Sequence, residues 1–168
     1  MNPPCLEIEY LQPRTLVCFS ECSPLWLGET QRQFNRLEDR CPNPNHDSGA
    51  SPSDTIVWTD CDIDSILDQT WIHQRPLVVM ALNQTLLEQR LGIIHQISNL
   101  NGKVAVIGDP ELKNYRLPLT AAGTIALVTD IFDCQMLALI IQRMAQSQRA
   151  ELTGWKTRFV NRLPWPPV

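Results

Sequence analysis

The chain has 168 residues, six cysteines and a formal net charge of −4. That length fits one domain with a substantial hydrophobic core, and the scattered charges with a negative balance give no general attraction to nucleic acid or anionic lipid. The first residues lack a basic start followed by an apolar core, and no apolar run approaches the ~20 residues that span a bilayer. We therefore expect a cytoplasmic protein that binds neither nucleic acid nor membrane.

The first half of the sequence predicts two strand–helix pairs separated by a polar loop. Leu16–Phe19 is a short apolar run that predicts the first strand, and Ser23-Pro24 marks the start of a helix that ends near Arg40. Residues 41–54 are rich in Pro, Asn, Ser, Gly and Asp, which is typical of an exposed loop. A second strand is predicted over 55–58, and apolar residues at helical spacing predict a short helix after it.

The second half alternates three apolar runs with helical patterns. The runs at 77–81, 104–107 and 125–128 have the continuous apolar character of parallel strands covered on both faces. After the first of them, Thr85-Leu86-Leu87-Glu88 predicts a capping box and a helix that closes at Asn101-Gly102.

The last two helices are less evenly marked. Asp109-Pro110 begins a weaker helical segment that runs to about Ala122, and Pro118 is expected to kink or shorten it. Asp133 is predicted to cap the last long helix, with Met136 among the residues that face the core. Five strands alternating with five helices, joined by right-handed crossovers, predict an α/β doubly wound parallel sheet in the flavodoxin-like order 2-1-3-4-5.

The region before the fifth predicted strand resembles the end of a receiver domain of the response-regulator family. In Leu119–Val128 an alanine-glycine pair leads into the strand, as it does in receivers. Gly108 lies fifteen residues before Gly123, which is the receiver spacing between the fourth-strand hydroxyl residue and that glycine. Pro76–Ala81 is similar to the third receiver strand.

The resemblance implies a domain organisation. It covers about Arg14 to Gln148 and is better in the second half than in the first. We therefore expect a receiver-like domain over 14–149, preceded by an N-terminal extension over 1–13 and followed by an aromatic, proline-containing tail over 150–168.

The resemblance also locates the family's phosphorylation site on this chain. Receivers have an acidic pair after strand one, a phosphoacceptor aspartate ending strand three, a Ser or Thr ending strand four and a lysine ending strand five. The corresponding positions here are Ser20, Glu21, Ala81, Gly108 and Asp130, of which Glu21 alone keeps its type. A methyl group cannot attack phosphorus, and a carboxylate repels a phosphoryl group where a lysine would attract it. The resemblance thus implies a degenerate receiver without phosphotransfer, catalytic residues or cofactor.

Protein contact is then the expected means of action. Receivers pass signals through the face made by helix 4, strand 5 and helix 5, which here contains Leu127, Asp130 and Phe132. The tail adds three aromatic side chains of the kind that anchor interfaces, namely Trp155, Phe159 and Trp165. We expect a non-catalytic signalling module that binds a protein partner or a second copy of itself, independently of phosphorylation.

A different class of function is the alternative. Glu21, Asp60, Asp109 and Asp130 follow predicted strands and carry the oxygen ligands that bind divalent cations, which would indicate a ligand-binding domain or an enzyme. Aspartates at such positions are more commonly helix caps or turn residues. Because no CxxC, GxGxxG or Walker pattern supports zinc or nucleotide binding, we predict no metal and no cofactor.

Overall fold

The computed structural model describes residues 15–20, 22–40, 56–72 and 76–147, with the side chains of 68–72 excepted. Its elements are β1 (Thr15–Ser20), α1 (Pro24–Arg40), β2 (Ile56–Asp60), α2 (Ile63–Ile72), β3 (Leu77–Leu82), α3 (Leu87–Asn99), β4 (Lys103–Gly108), a 3₁₀ helix (Pro110–Tyr115) that leads into α4 (Arg116–Ala122), β5 (Thr124–Val128), a 3₁₀ turn (Ile131–Asp133) and α5, described over 134–147.

The five strands form one sheet in the order β2-β1-β3-β4-β5, and all four pairings are parallel. This confirms the predicted flavodoxin-like fold class. The register places Cys18, Val78, Val104 and Thr124 at one level across four neighbouring strands. Between Val104 and Ala105 the β4–β5 register shifts by one residue, so that Ile125 has no partner on β4.

Helices cover both faces of the sheet. On one face, strand residues such as Met80 pack with Ile94 of α3 and Leu119 of α4, and on the other face Phe19 packs with Phe34 of α1 and Ile141 of α5. Successive strand side chains point to opposite faces, so a strand covered on both sides is apolar at every position. That is the physical origin of the continuous apolar runs in the sequence.

Two predicted helix caps are wrong by a few residues. The N-cap residue of α3 is Leu86, and within the described part of the chain no side-chain hydrogen bond caps this helix. The predicted capping box that begins at Thr85 is replaced by a turn. The Asn83 Oδ1 accepts from the Leu86 N–H at 3.0 Å and from the Thr85 hydroxyl at 2.7 Å. Before α5, the Asp130 carboxylate, rather than that of Asp133, accepts a backbone N–H.

Two further expectations need correction. Met136 was predicted to face the core but is 40% exposed, because the buried stripe of α5 is formed by Leu137, Ala138 and Ile141 and Met136 lies beside that stripe, at the groove along β5. Pro118 does not kink its helix, since it lies in the first turn of α4, where a backbone N–H has no intrahelical acceptor. The break in this region instead lies at the 3₁₀–α boundary, at Tyr115.

Several predicted features lie outside the described residues. They are the extension over 1–13, Glu21, the loop over 41–54, and the tail over 150–168 with Trp155, Phe159 and Trp165. Within the described ranges, none of the helices combines the length and the apolar character needed to cross a membrane.

Candidate functional site

Parallel pairing brings the ends of the central strands to one edge of the sheet. Ser20 pairs with Met80, Ala81 with Ile107, and Leu82 with Gly108, so that these strand ends lie side by side. Asp130 follows β5 by two residues. The carboxyl edge is the usual ligand site of an open parallel sheet. Four of the five positions that the resemblance assigned to the phosphorylation site therefore share that edge.

After the end of β1, the Cys22 thiol makes hydrogen bonds to the backbone. The Cys22 Sγ donates to the carbonyl oxygens of Ser20, at 3.1 Å, and of Val79, at 3.4 Å. The Ser20 side chain is fully buried, and its hydroxyl has no hydrogen-bond partner among the described residues. Cys22 thus links the ends of β1 and β3, and Ser20 is buried away from any ligand in solvent.

The loop after β3 is fixed by its own hydrogen bonds. Ala81 is partly buried and packs against the core on the α1–α5 face, so no polar group is present at this position. The amide of Gln84 donates to the Tyr115 hydroxyl at 2.6 Å and joins this loop to the 3₁₀ helix before α4. Both Asn83 and Gln84 therefore have structural partners, and the loop end holds no nucleophile.

The end of β4 has no room for a side chain. A Cβ atom placed on Gly108 would collide with the carbonyl oxygen of Leu82 on the neighbouring strand, and would lie 2.5 Å from the Leu112 Cδ1. The first of these atoms belongs to the paired backbone of β3, which cannot rotate away as a side chain can. At the position that the resemblance assigned to the hydroxyl residue, a side chain therefore fits only if the neighbouring strand shifts.

After β5, the Asp130 carboxylate serves the local backbone. Its Oδ1 accepts from the Phe132 N–H at 3.0 Å, and its carbonyl oxygen accepts from the Asp133 N–H at 3.0 Å. The residue caps the 3₁₀ turn before α5 and is exposed. At the position that the resemblance assigned to the receiver lysine, the chain thus has an acidic residue with a structural role.

Among the residues that the structure describes, the remaining acidic strand ends do not form a cation site. Asp60 is exposed at the end of β2, and Asp109 precedes the 3₁₀ helix without a side-chain cap bond in the described part. Asp62 accepts from the Ser65 N–H at 2.7 Å, and this bond lowers the pKa of the Asp62 carboxyl below its usual value. Across the described residues, no three His, Cys, Asp or Glu side chains come close enough to hold one metal ion.

Two cysteines on β1 and after β2, Cys18 and Cys61, are also poor nucleophiles. Burial raises the pKa of Cys18 well above the ordinary thiol value, and the neighbouring Cys61 raises it further. Burial likewise raises the pKa of Cys61. Because the thiolate is the reactive form, both groups are held in their unreactive state at neutral pH.

A second candidate site lies on the α4–β5–α5 face. A groove of about 520 Å³ runs along β5, with Lys113, Arg116 and Thr120 on the α4 side and Met136 and Ile140 on the α5 side. The partly buried Leu127 belongs to its floor, whereas neither cation was identified from the sequence. The signal that could have found them is the i, i+3 spacing of two basic residues beside the predicted interface.

Large apolar side chains are exposed on the elements of this face. The described residues contain five exposed large hydrophobic side chains, and four of them lie on α4, β5, the 3₁₀ turn and α5. Leu117 is 84% exposed, Phe132 86%, Ile125 44% and Met136 40%, while the fifth, Leu25, lies on α1. Exposed apolar residues that cluster in this way indicate an interaction surface.

Comparison with known proteins gives structural neighbours but no family. No protein-family model matches the chain, and no curated protein matches it. The chain is similar to a CheY-like protein (TadZ) from Pseudomonas aeruginosa PAO1, with 15% identity and a TM-score of 0.48 over 92% of this chain and 99% of the other. It is also similar to the pilus assembly protein CpaE from Caulobacter crescentus CB15, with 14% identity and a TM-score of 0.43 over 79% and 94%. The fold class therefore rests on sheet order and strand direction.

Proposed function

We propose that this chain is a receiver-like signalling module that acts by non-covalent protein contact through the α4–β5–α5 face, without phosphorylation and without catalysis. The observation that carries the proposal is the concentration of exposed apolar side chains on the elements of that face, where Ile125 and Met136 line an open groove of about 520 Å³. A monomer gains nothing from exposing this surface, whereas a partner that covers it buries apolar area.

The chemistry of the carboxyl edge supports the absence of phosphotransfer. Ala81 supplies no attacking oxygen, the close approach at Gly108 leaves no space for a hydroxyl residue, and Asp130 presents negative charge. Each of these changes removes a different part of the reaction. Together they favour a module whose surface, and not its modification state, carries the signal.

Paired substitutions of exposed residues test this proposal in the full-length chain. The variant L117D/F132D places two carboxylates on the α4–β5–α5 face, and L25D places one on α1 at a comparably exposed position. Affinity capture with the purified proteins as bait, followed by measured dissociation constants for each captured partner, compares them. We expect L117D/F132D to lose binding and L25D to retain it.

Other outcomes reject the proposal in whole or in part. Binding that survives L117D/F132D but is lost in W155A/W165A would move the interaction surface to the tail. Incorporation of a phosphoryl group from acetyl phosphate into the wild-type chain, detected by intact mass, would contradict phosphorylation-independent action.

A further inference from the structure

We propose that the groove on the α4–β5–α5 face binds residues 6–11 of a second copy of this chain, added as a strand along the free edge of β5. The inference rests on the proposed function, because it names the partner of the same face. Three observations support it. They are the unpaired outer edge of β5, the different chemical character of the two walls of the groove, and the distance that the chain between Leu11 and Thr15 can span.

The unpaired outer edge of β5 is where the added strand would bind. Among the described residues β5 pairs with β4 alone, so its outer edge presents backbone N–H and C=O groups without a neighbouring strand. Such an edge recruits an extended segment, which gains main-chain hydrogen bonds and places alternate side chains against the two walls beside it. β5 has five residues, and a six-residue segment matches its length.

The two walls of the groove differ in character. Lys113 and Arg116 stand on the α4 side, no carboxylate lines the groove, and neither cation forms an ion pair with a residue in the described part of the chain. Met136 and Ile140 make the α5 side apolar. A strand that fits both walls carries acidic side chains on one face and apolar side chains on the other.

The segment Leu6-Glu7-Ile8-Glu9-Tyr10-Leu11 has this alternation. In an extended strand, successive side chains point to opposite sides, so Leu6, Ile8 and Tyr10 share one face and Glu7 and Glu9 share the other. The apolar face matches the α5 wall, and the acidic face matches the cationic wall. The tail is a poor match, because its aromatic residues are interleaved with Lys156, Arg158 and Arg162, which the α4 wall repels.

The covalent reach of the chain favours a second copy over the same molecule. Cys18 is level with Thr124, so Thr15 lies three residues before that level on β1. A strand added outside β5 lies four inter-strand spacings from β1. Together with the offset of three residues along β1, this places the added strand roughly 21 Å from Thr15. Leu11 is four residues from Thr15, which spans about 14 Å when fully extended. Tyr10 and Leu11 therefore cannot lie beside β5 of their own chain.

Charge exchange tests the inference in the full-length protein. The variants E7K/E9K and K113E/R116E each place like charges together, and the fourfold variant restores opposite charges with their positions reversed. Sedimentation equilibrium at low salt measures the self-association constant, and circular dichroism checks that each variant is folded. We expect each double variant to weaken self-association by about tenfold or more, and the fourfold variant to recover most of it.

A cross-linking experiment reports the contact directly. A mixture of unlabelled and nitrogen-15-labelled protein is treated with a zero-length carbodiimide, which joins a glutamate to a nearby lysine. The chain has three lysines, Lys103, Lys113 and Lys156. We expect peptides that join Glu7 or Glu9 to Lys113, in mixed-isotope form, and their loss in K113R, which keeps the positive charge but reacts poorly.

Three outcomes overturn the inference, and they are distinct from failure of the proposed function. These outcomes are a monomer at all concentrations, cross-links confined to single-isotope peptides, and self-association unchanged in E7K/E9K. If L117D/F132D still removes binding of another protein, the face remains the interaction surface and only its occupant is wrong. If L117D/F132D removes nothing, the proposed function itself fails.

Discussion

The carboxyl edge of the sheet and the α4–β5–α5 face differ in how many of their residues are hydrogen-bonded or covered by the rest of the protein. At the edge, Cys22 and Asp130 are engaged by nearby backbone, and Gly108 is covered by the neighbouring strand. On the face, Leu117 and Phe132 are more than four-fifths exposed. Apart from the buried Ser20 hydroxyl, the described groups at the usual ligand site of this fold are thus engaged or covered by the protein itself, whereas the exposed apolar side chains lie on the α4–β5–α5 face.

The largest expected effect comes from a matched pair on α4. Leu119 is 1% exposed and Leu117 is 84% exposed, although they are two residues apart on one helix. We expect L119A to lower the free energy of unfolding by about 2–5 kcal/mol, since it leaves a cavity in the core. L117A is expected to change it by less than about 0.5 kcal/mol. Urea denaturation measures both, and a cost for L117A similar to that of L119A would show that Leu117 is part of the core.

A smaller loss of stability is expected when a hydroxyl is introduced at the end of β4. In G108S the new Cβ meets the Leu82 carbonyl and the Leu112 side chain, so we expect destabilisation of about 1–3 kcal/mol from overpacking. G92A is the matched control, because nothing lies within 4 Å of an added Cβ there and alanine favours the helix by about 0.5–1 kcal/mol. Equal urea midpoints for G108S and the wild type would mean that this edge is open.

A still smaller effect concerns the acidic residue that caps α2. The Ser65 N–H lowers the pKa of Asp62 in the folded chain, so the carboxylate stabilises the fold above the unfolded pKa and loses that contribution as the pH falls through the lowered value. We expect D62A to be less stable than the wild type at pH 7, and the difference to shrink below about pH 4. Thermal unfolding of both proteins at several pH values measures the difference. A gap that does not depend on pH would contradict this role.

The last prediction is that a substitution at residue 81 has no effect on phosphorylation. A81D places a carboxylate at the position that the resemblance assigns to the phosphoacceptor, but leaves glycine at 108 and negative charge at 130. We expect no phosphoryl group on A81D after incubation with acetyl phosphate and magnesium, as measured by intact mass, because the groups that would stabilise the product are missing. Labelling of A81D would show that the carboxyl edge retains its chemistry and that the contrast between the two regions is weaker than described.

Much of the fold was predictable because its signals are local in the sequence. The runs at 77–81, 104–107 and 125–128 correspond to β3, β4 and β5, and the rule of right-handed crossovers supplied their order. Helix starts were less predictable. Asn83 and Thr85 both carry a capping oxygen, and the choice between them depends on backbone angles of the turn, which side-chain type does not specify.

The site was predictable in its positions and not in its contacts. The sequence indicated that Ala81, Gly108 and Asp130 follow strands at one edge, and the register places them there. The hydrogen bonds of Cys22 and the closure at Gly108 depend on distances between strands, which no sequence pattern encodes. The cationic wall of the groove was missed although Lys113 and Arg116 have the i, i+3 spacing, because its position depends on how the 3₁₀ helix and α4 pack beside β5.

The contact between Gly108 and the Leu82 carbonyl affects how the carboxyl edge can change by substitution. Phosphorelay chemistry at this edge would need an aspartate at 81, a hydroxyl at 108 and a lysine at 130, and the second of these collides with the β3 backbone. A hydroxyl at 108 made alone therefore costs stability and gains no activity in return. The close spacing of β3 and β4 thus disfavours the stepwise acquisition of phosphate signalling at this edge.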